Sequence, residues 1–133
     1  GLDRYLVPDS DLTKYDTYVF DIVTPDSRRC SCFTKSYSKY VRGTGSLLSD
    51  NFYDQDGRCS LDMETFGALD LAGMKRLRLR FFTEEEVARI MGFPETFSFP
   101  PECLLPHSRL GYRMLGNSLS VSVVSALLDY LFA

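Results

Sequence analysis

Two stretches of this 133-residue chain carry residue types and spacings that could do chemistry. The first is Cys30 to Gly45 (CSCFTKSYSKYVRGTG), where Phe33, Tyr37 and Tyr40 are interleaved with Lys35, Lys39 and Arg42 ahead of Gly43-Thr44-Gly45. Aromatic faces stack on bases while cations neutralise phosphates, so the alternation suits an unstacked or single-stranded nucleic acid. The glycines would let backbone amides approach a phosphate or base. The alternative is an irregular loop with Tyr37 and Tyr40 packed inward. The second stretch is Leu115-Gly116-Asn117-Ser118-Leu119, a polar corner opening into the apolar run from Val121 to Phe132. At a helix start the free amides and the positive dipole end await a polar or anionic group, which Asn117 and Ser118 could help to hold. Alternatively, Asn117 is simply the N-cap.

Charge is segmental. The net charge of -3 conceals a run from Ser27 to Ser49 with five basic side chains (Arg28, Arg29, Lys35, Lys39, Arg42) and no acidic one. Acidic segments flank it on both sides. A concentrated basic segment in a weakly acidic protein is how a polyanion-binding surface can look, although a solvated loop explains the same charges. Cys30, Cys32, Cys59 and Cys103, with the lone His107, form no CxxC pair and no regular zinc-ligand spacing, so no metal is expected and the thiols should be reduced. No apolar run reaches bilayer length and no signal peptide is evident. The expectation is a soluble protein without a membrane partner, cytoplasmic and secondarily nuclear. Because residue 1 is Gly rather than Met, the sequence reads as a trimmed or internal piece.

The elements that must position these stretches are partly legible. Leu12, Tyr15, Val19 and Ile22 recur at helical spacing behind Asp9, Ser10 and Asp11, predicting a helix from about Asp9 to Ile22, stopped by Pro25. The 49–70 segment is acidic and turn-rich, an aperiodic connection with one short helix near Met63 to Leu71. From Leu77 strict alternation predicts a short strand, with Leu77, Leu79 and Phe81 on one face and Arg76, Arg78 and Arg80 on the other. Thr83-Glu84-Glu85-Glu86 is a capping box, with Phe82 and Val87 placed for a hydrophobic staple. Gly92 stands at the expected C-cap and Pro94 blocks continuation. Capping explains the acidic run without invoking catalysis. The proline-rich connector from Phe93 to Pro106 should lie extended. The last helix is expected to be almost wholly buried against a sheet, exposing a thin stripe of Ser118, Ser122, Ser125 and Asp129.

In order, Arg80-x-x-Thr83-x-x-Glu86 running to Gly92-Phe93-Pro94, then Arg113-x-Leu115-Gly116-Asn117-Ser118 and an apolar helix, resemble the last two conserved blocks of cytosine-5 methyltransferases. Upstream, Cys32-Phe33-Thr34-Lys35-Ser36-Tyr37, continuing to Tyr40 and Gly43-Thr44-Gly45-Ser46, looks like the signature of one branch. That branch is the tRNA (cytosine-5) methyltransferase family, the second DNA methyltransferase homologue. The resemblance covers nearly the whole chain except 49–70.

The resemblance implies an α/β fold, the C-terminal part of a Rossmann-like methyltransferase that uses S-adenosylmethionine. By the same resemblance, residues 1–72 would form most of a small target-recognition domain, and a strand plus helices in 73–133 would return to complete the large domain. Asn117, Ser118 and Leu119 would line the cofactor pocket. Cys32, Phe33, Thr34 and Lys35, with Tyr37, Lys39, Arg42 and Thr44, would approach the target nucleotide. Arg80, Thr83 and Glu86 would be structural. The family attacks carbon 6 of cytosine with the thiolate of a Pro-Cys motif. Neither that motif nor the family's Glu-Asn-Val motif is present, and Cys103 in Pro101-Glu102-Cys103-Leu104 does not match. No catalytic residue is therefore assigned, and the chain alone is expected to be inactive without an N-terminal catalytic half. The expected substrate is tRNA, in the family usually the anticodon loop of aspartate tRNA. DNA as substrate and a non-catalytic nucleic-acid-binding module are the competing readings.

Overall fold

The structure is a computed structural model that describes residues 1–13, 20–52, 56 and 71–133. Helix α1 is Asp9–Thr13, and Ile22–Val23 forms strand β1. The helix expected to run to Ile22 therefore does not, because Ile22 and Val23 pair in parallel with strand β2, Leu47–Leu48. The intervening part of that expected helix lies outside the described residues, as does the short helix placed near Met63. Helix α2, Leu71–Arg76, follows. Arg76 thus ends a helix rather than entering a strand.

The alternation at Leu77 to Phe81 has a tertiary meaning that a strand label understates. Leu77, Leu79 and Phe81 are buried, while Arg78 turns out of the pattern at a positive φ of 48°. Arg80 exchanges backbone hydrogen bonds with Leu48 at 2.9 and 3.0 Å. On its other side, the Val7 amide donates to the Leu79 carbonyl at 3.0 Å and the Phe81 amide to the Tyr5 carbonyl at 2.8 Å. One short segment therefore stitches the N-terminal residues to the β1–β2 pair. Paired backbone groups are what permit its burial.

Helix α3, Glu84–Ile90, starts as expected: the Thr83 side chain accepts from the Glu86 amide, and the Glu86 carboxylate accepts from the Thr83 amide. Such a box contributes about 1 kcal/mol. Its end is also as read, with Gly92 at φ 85° and the Phe93 amide donating to the Ala88 carbonyl at 3.0 Å. The connector is less extended than expected. A turn closes at Phe97, and Pro101–Leu104 forms a 3-10 turn that buries Cys103.

Two corrections concern the C-terminal region. A helix not anticipated, α4 at Leu110–Gly116, precedes the polar corner, and helix α5 is Val121–Phe132. Asn117 is therefore not the N-cap of the last helix but the C-cap of α4. Ser120 caps α5, its hydroxyl accepting from the Val123 amide. The second correction is larger: α5 has no buried residue. Only its start is seated, the Val121 amide donating to the Met91 carbonyl at 2.8 Å. Among the described residues the sole sheet is the two-residue β1–β2 pair, so nothing broad enough to cover α5 is present. By length and composition alone the span Leu110–Phe132 is long and apolar enough to cross a membrane, contrary to the expectation from sequence, but neither α4 nor α5 has that length by itself. The span is broken between α4 and α5 at Asn117 to Ser120.

A candidate nucleic-acid and cofactor surface

Tyr37 lies at the centre of the region that holds the candidate residues. It has no exposed surface and meets Phe33, Phe81 and Tyr112 edge-on at ring centroid distances of 5.0, 5.2 and 5.2 Å. Its hydroxyl donates to the Ser46 carbonyl at 2.5 Å and accepts from the Phe82 amide at 3.0 Å. Burial is the main reason that its pKa is pushed well above the ordinary phenol value. Tyr37 therefore cannot stack on a base, and as a nucleotide contact it is corrected to a core residue. Thr44 is corrected likewise: it is 6% exposed and its hydroxyl donates to the Tyr40 carbonyl at 2.5 Å. Both belong to the scaffold that shapes the loop.

The other candidates remain accessible. Cys32, Lys35, Lys39 and Arg42 are exposed, as are Arg28 and Arg29, so every cation of the basic segment reaches the surface. Phe33 and Thr34 are half-buried, Phe33 resting edge-on against Phe82 at 5.5 Å. Tyr40 is 52% exposed, with the Lys39 ammonium 5.2 Å from its ring centre. The loop that carries these side chains is tied down at its base. The Thr34 amide donates to the Thr44 carbonyl at 2.9 Å and the Tyr37 amide to the Thr34 carbonyl at 3.0 Å. Asp21 accepts from the hydroxyls of Ser31 and Ser46. Those hydrogen bonds, Ser31 first, hold its carboxyl below the ordinary range. Nothing in the local sequence marked Asp21, which lies 25 positions from Ser46.

The second candidate stretch is brought against the first. A Cβ at Gly116 would overlap the Lys35 amide nitrogen and the Thr34 carbonyl carbon, and would lie 2.5 Å from the Lys35 Cα. Arg109, not singled out from the sequence, donates to the Lys35 carbonyl at 3.4 Å. Asn117, Ser118 and Leu119, next along the chain, are exposed, and Ser118 turns its hydroxyl back to the Leu115 carbonyl at 2.9 Å. The corner thus offers the polar Asn117 beside an apolar Leu119 that is 53% exposed. That donor set fits one wall of a site for a molecule with polar and apolar parts, such as S-adenosylmethionine.

The structural motif residues form a half-buried ion pair. Arg80 is 6% exposed, and its guanidinium donates to both Glu86 carboxylate oxygens at 2.8 and 2.9 Å. Such a bidentate pair fixes orientation as well as charge. Burial pushes the Glu86 carboxyl upward, but the Arg80 hydrogen bonds, the Thr83 amide and the Arg80 charge together outweigh it and hold it below the ordinary range. Arg80 and Glu86 also line a cleft of about 560 Å³, together with Arg28, Arg29 and Cys30. Cys32 to Lys35 and Asn117 to Leu119 do not line that cleft. Among the described residues no three His, Cys, Asp or Glu side chains are grouped so as to hold a metal ion.

Comparison with known proteins places this geometry. The sequence model of the C-5 cytosine-specific DNA methylase family matches residues 11–133. The tRNA (cytosine(38)-C(5))-methyltransferase of Mus musculus is 40% identical over 133 residues, covering 97% of this chain and 30% of the relative. A DNA (cytosine-5)-methyltransferase of Dictyostelium discoideum is 36% identical over 129 residues, covering 97% and 30%. The crystal structure of the S. pombe Dnmt2 methyltransferase superposes with a TM-score of 0.79 at 38% identity, covering 98% of this chain and 38% of that one. The chain spans about a third of the length of the curated relatives it matches.

Proposed function

The chain belongs to the C-5 cytosine-specific DNA methylase family, and from that premise we propose that it is the C-terminal portion of a tRNA cytosine-5 methyltransferase. The observation that carries this reading is the packing of the Thr34-Lys35 backbone on Gly116. It sets a basic, aromatic-bearing loop next to the exposed Asn117 to Leu119 corner, so a nucleic acid and a cofactor could be served from adjoining surfaces.

S-adenosylmethionine would supply the methyl group, and Asn117, Ser118 and Leu119 would form one wall of its pocket. Lys35, Lys39 and Arg42 would neutralise phosphates of the tRNA, while Cys32, Phe33 and Thr34 would approach the target cytosine, in the anticodon loop of aspartate tRNA. Arg80, paired through its backbone with Leu48 and with its guanidinium 3.8 Å from Asp50, would join the recognition region, 1–72 with its variable connection at 49–70, to 73–133, which would complete the catalytic domain; Thr83 and Glu86 would be structural. The nucleophile and the rest of the cofactor site would come from an N-terminal half. The exposed apolar face of α5, with Leu127 at 55% and Leu131 at 68% exposure, supports such a partner. An exposed apolar surface of this kind marks an interaction site.

Co-expression with an N-terminal half carrying a Pro-Cys motif and a glycine-rich first loop, followed by a methyl-transfer assay on tRNA and on DNA, tests the reading. Transfer to tRNA by the pair and none by the chain alone is expected. Methylation by the chain alone would move the nucleophile into it. Preference for DNA would favour the reading that the name of the Dictyostelium relative suggests. The exposed cations of the basic segment favour one further alternative, a binding module without catalysis. In that case the chain alone would bind tRNA with a steep salt dependence that neutralising Lys35, Lys39 and Arg42 abolishes.

A further inference from the structure

We propose that Gly116 is a positioning residue for the target-recognition loop, setting the distance between Cys32 to Lys35 and the Asn117 to Leu119 corner. The inference rests on the methyltransferase reading above. Gly116 closes α4, and it is not among the glycines at positive φ, which among the described residues are Gly43, Gly45 and Gly92. At a helical position alanine would be favoured by roughly 1 kcal/mol. Conformational freedom is therefore not what glycine contributes here. Close approach is: the space of its Cβ is occupied by the backbone of Thr34 and Lys35.

Gly111, in the same helix, differs in kind. There a Cβ would meet the Glu84 Cγ at 2.8 Å, a single buried side chain whose carboxylate accepts from the Tyr5 hydroxyl, so the overlap falls on one side chain and not on the recognition loop. At Gly116 the neighbour is main chain, which must move as a unit. Helix α4 is anchored by the buried Tyr112 and Leu115 and by the Tyr112 hydroxyl on the Phe82 carbonyl, and the loop by the buried Tyr37 and the Thr34 amide on the Thr44 carbonyl, so the overlap is relieved by widening the gap between them. Relieving the overlap takes the loop on the order of 1 Å from the corner, a misplacement that can cost about a hundredfold in rate.

The test uses the enzyme assembled from this chain and an N-terminal half. Gly116→Ala is expected to raise the KM for tRNA at least tenfold while leaving the KM for S-adenosylmethionine within twofold, and Gly111→Ala is expected to change neither by more than twofold. An unchanged KM for tRNA overturns the proposal, and so does a parallel rise in both constants, which would mean that the corner itself had been disturbed. In the wild-type assembly a nuclear Overhauser contact between the Gly116 α-protons and the Lys35 amide proton is expected. Its absence overturns the proposal however the variant folds. If the wild-type assembly does not methylate tRNA, it is the methyltransferase reading that fails, an outcome distinct from an active wild type with an indifferent Gly116→Ala.

Discussion

The hydroxyl of Tyr37 is shared between the Ser46 carbonyl and the Phe82 amide in a site closed to water. Tyr37→Phe should keep the ring contacts but leave both backbone groups unpaired, lowering stability by about 1–3 kcal/mol. Urea midpoints measure that loss, and the salt dependence of tRNA binding should not change, because the ring never faces the solvent. Arg80 and Glu86 make a second residue-scale case. The Glu86 carboxyl lies below its ordinary value of 4.5 in the folded chain, so its contribution is fully present above the unfolded pKa and is lost as pH falls through the folded one. Stability should decline on acidification below about pH 4.5, and Glu86→Gln should flatten that part of the urea midpoint profile. Arg80→Leu should cost about 2 kcal/mol, at the lower end for a broken ion pair because the Glu86 side chain is 38% exposed.

Among the elements, α3 and α5 are opposites. Helix α3 is specified locally: its cap, its acidic first turn and its terminal glycine all lie within ten residues. Thr83→Ala should therefore cost about 1 kcal/mol, read from the thermal midpoint, with the helix itself retained. Helix α5 is 12 residues long and meets the rest of the chain at its first turn, where Ser122 packs on Gly92 so closely that its amide nitrogen would lie 3.0 Å from a Cβ placed there. A free helix of that length is marginal in water. Its amides beyond the first turn should exchange rapidly in the chain alone and become protected when an N-terminal half is added. Hydrogen exchange followed by mass spectrometry would check this.

At the scale of the whole molecule, charge and apolar surface are segregated. The cations of the basic segment are exposed on the loop region, whereas α5 presents Leu127, Leu128, Tyr130, Leu131 and Phe132, each at least 48% exposed. These are two different kinds of surface, and they predict two separable behaviours. Leu127→Glu with Leu131→Glu should leave the stability of the chain alone within about 0.5 kcal/mol, as surface changes do. Assembly with the N-terminal half, measured by calorimetry or sedimentation, should weaken at least tenfold.

What the sequence by itself determined is what short-range chemistry dictates. The capping box at Thr83, the stop at Gly92 and the basic loop were all legible, because their partners lie a few residues away or are types that read alike in any context. The order of those blocks also carried the family. Tertiary structure alone decided what depends on distant partners. Tyr37 reads as a stacking ring until Phe82, 45 positions on, closes over its hydroxyl. Arg80 reads as one of three alternating arginines until Leu6 and Leu48 flank it. Lys35 meets Arg109 across 74 positions, and Gly116 is explained only by the backbone that rests on it. Helix α5 shows the limit most plainly: apolarity in a sequence states that a face needs covering, and only the fold decides whether the cover is in the same chain.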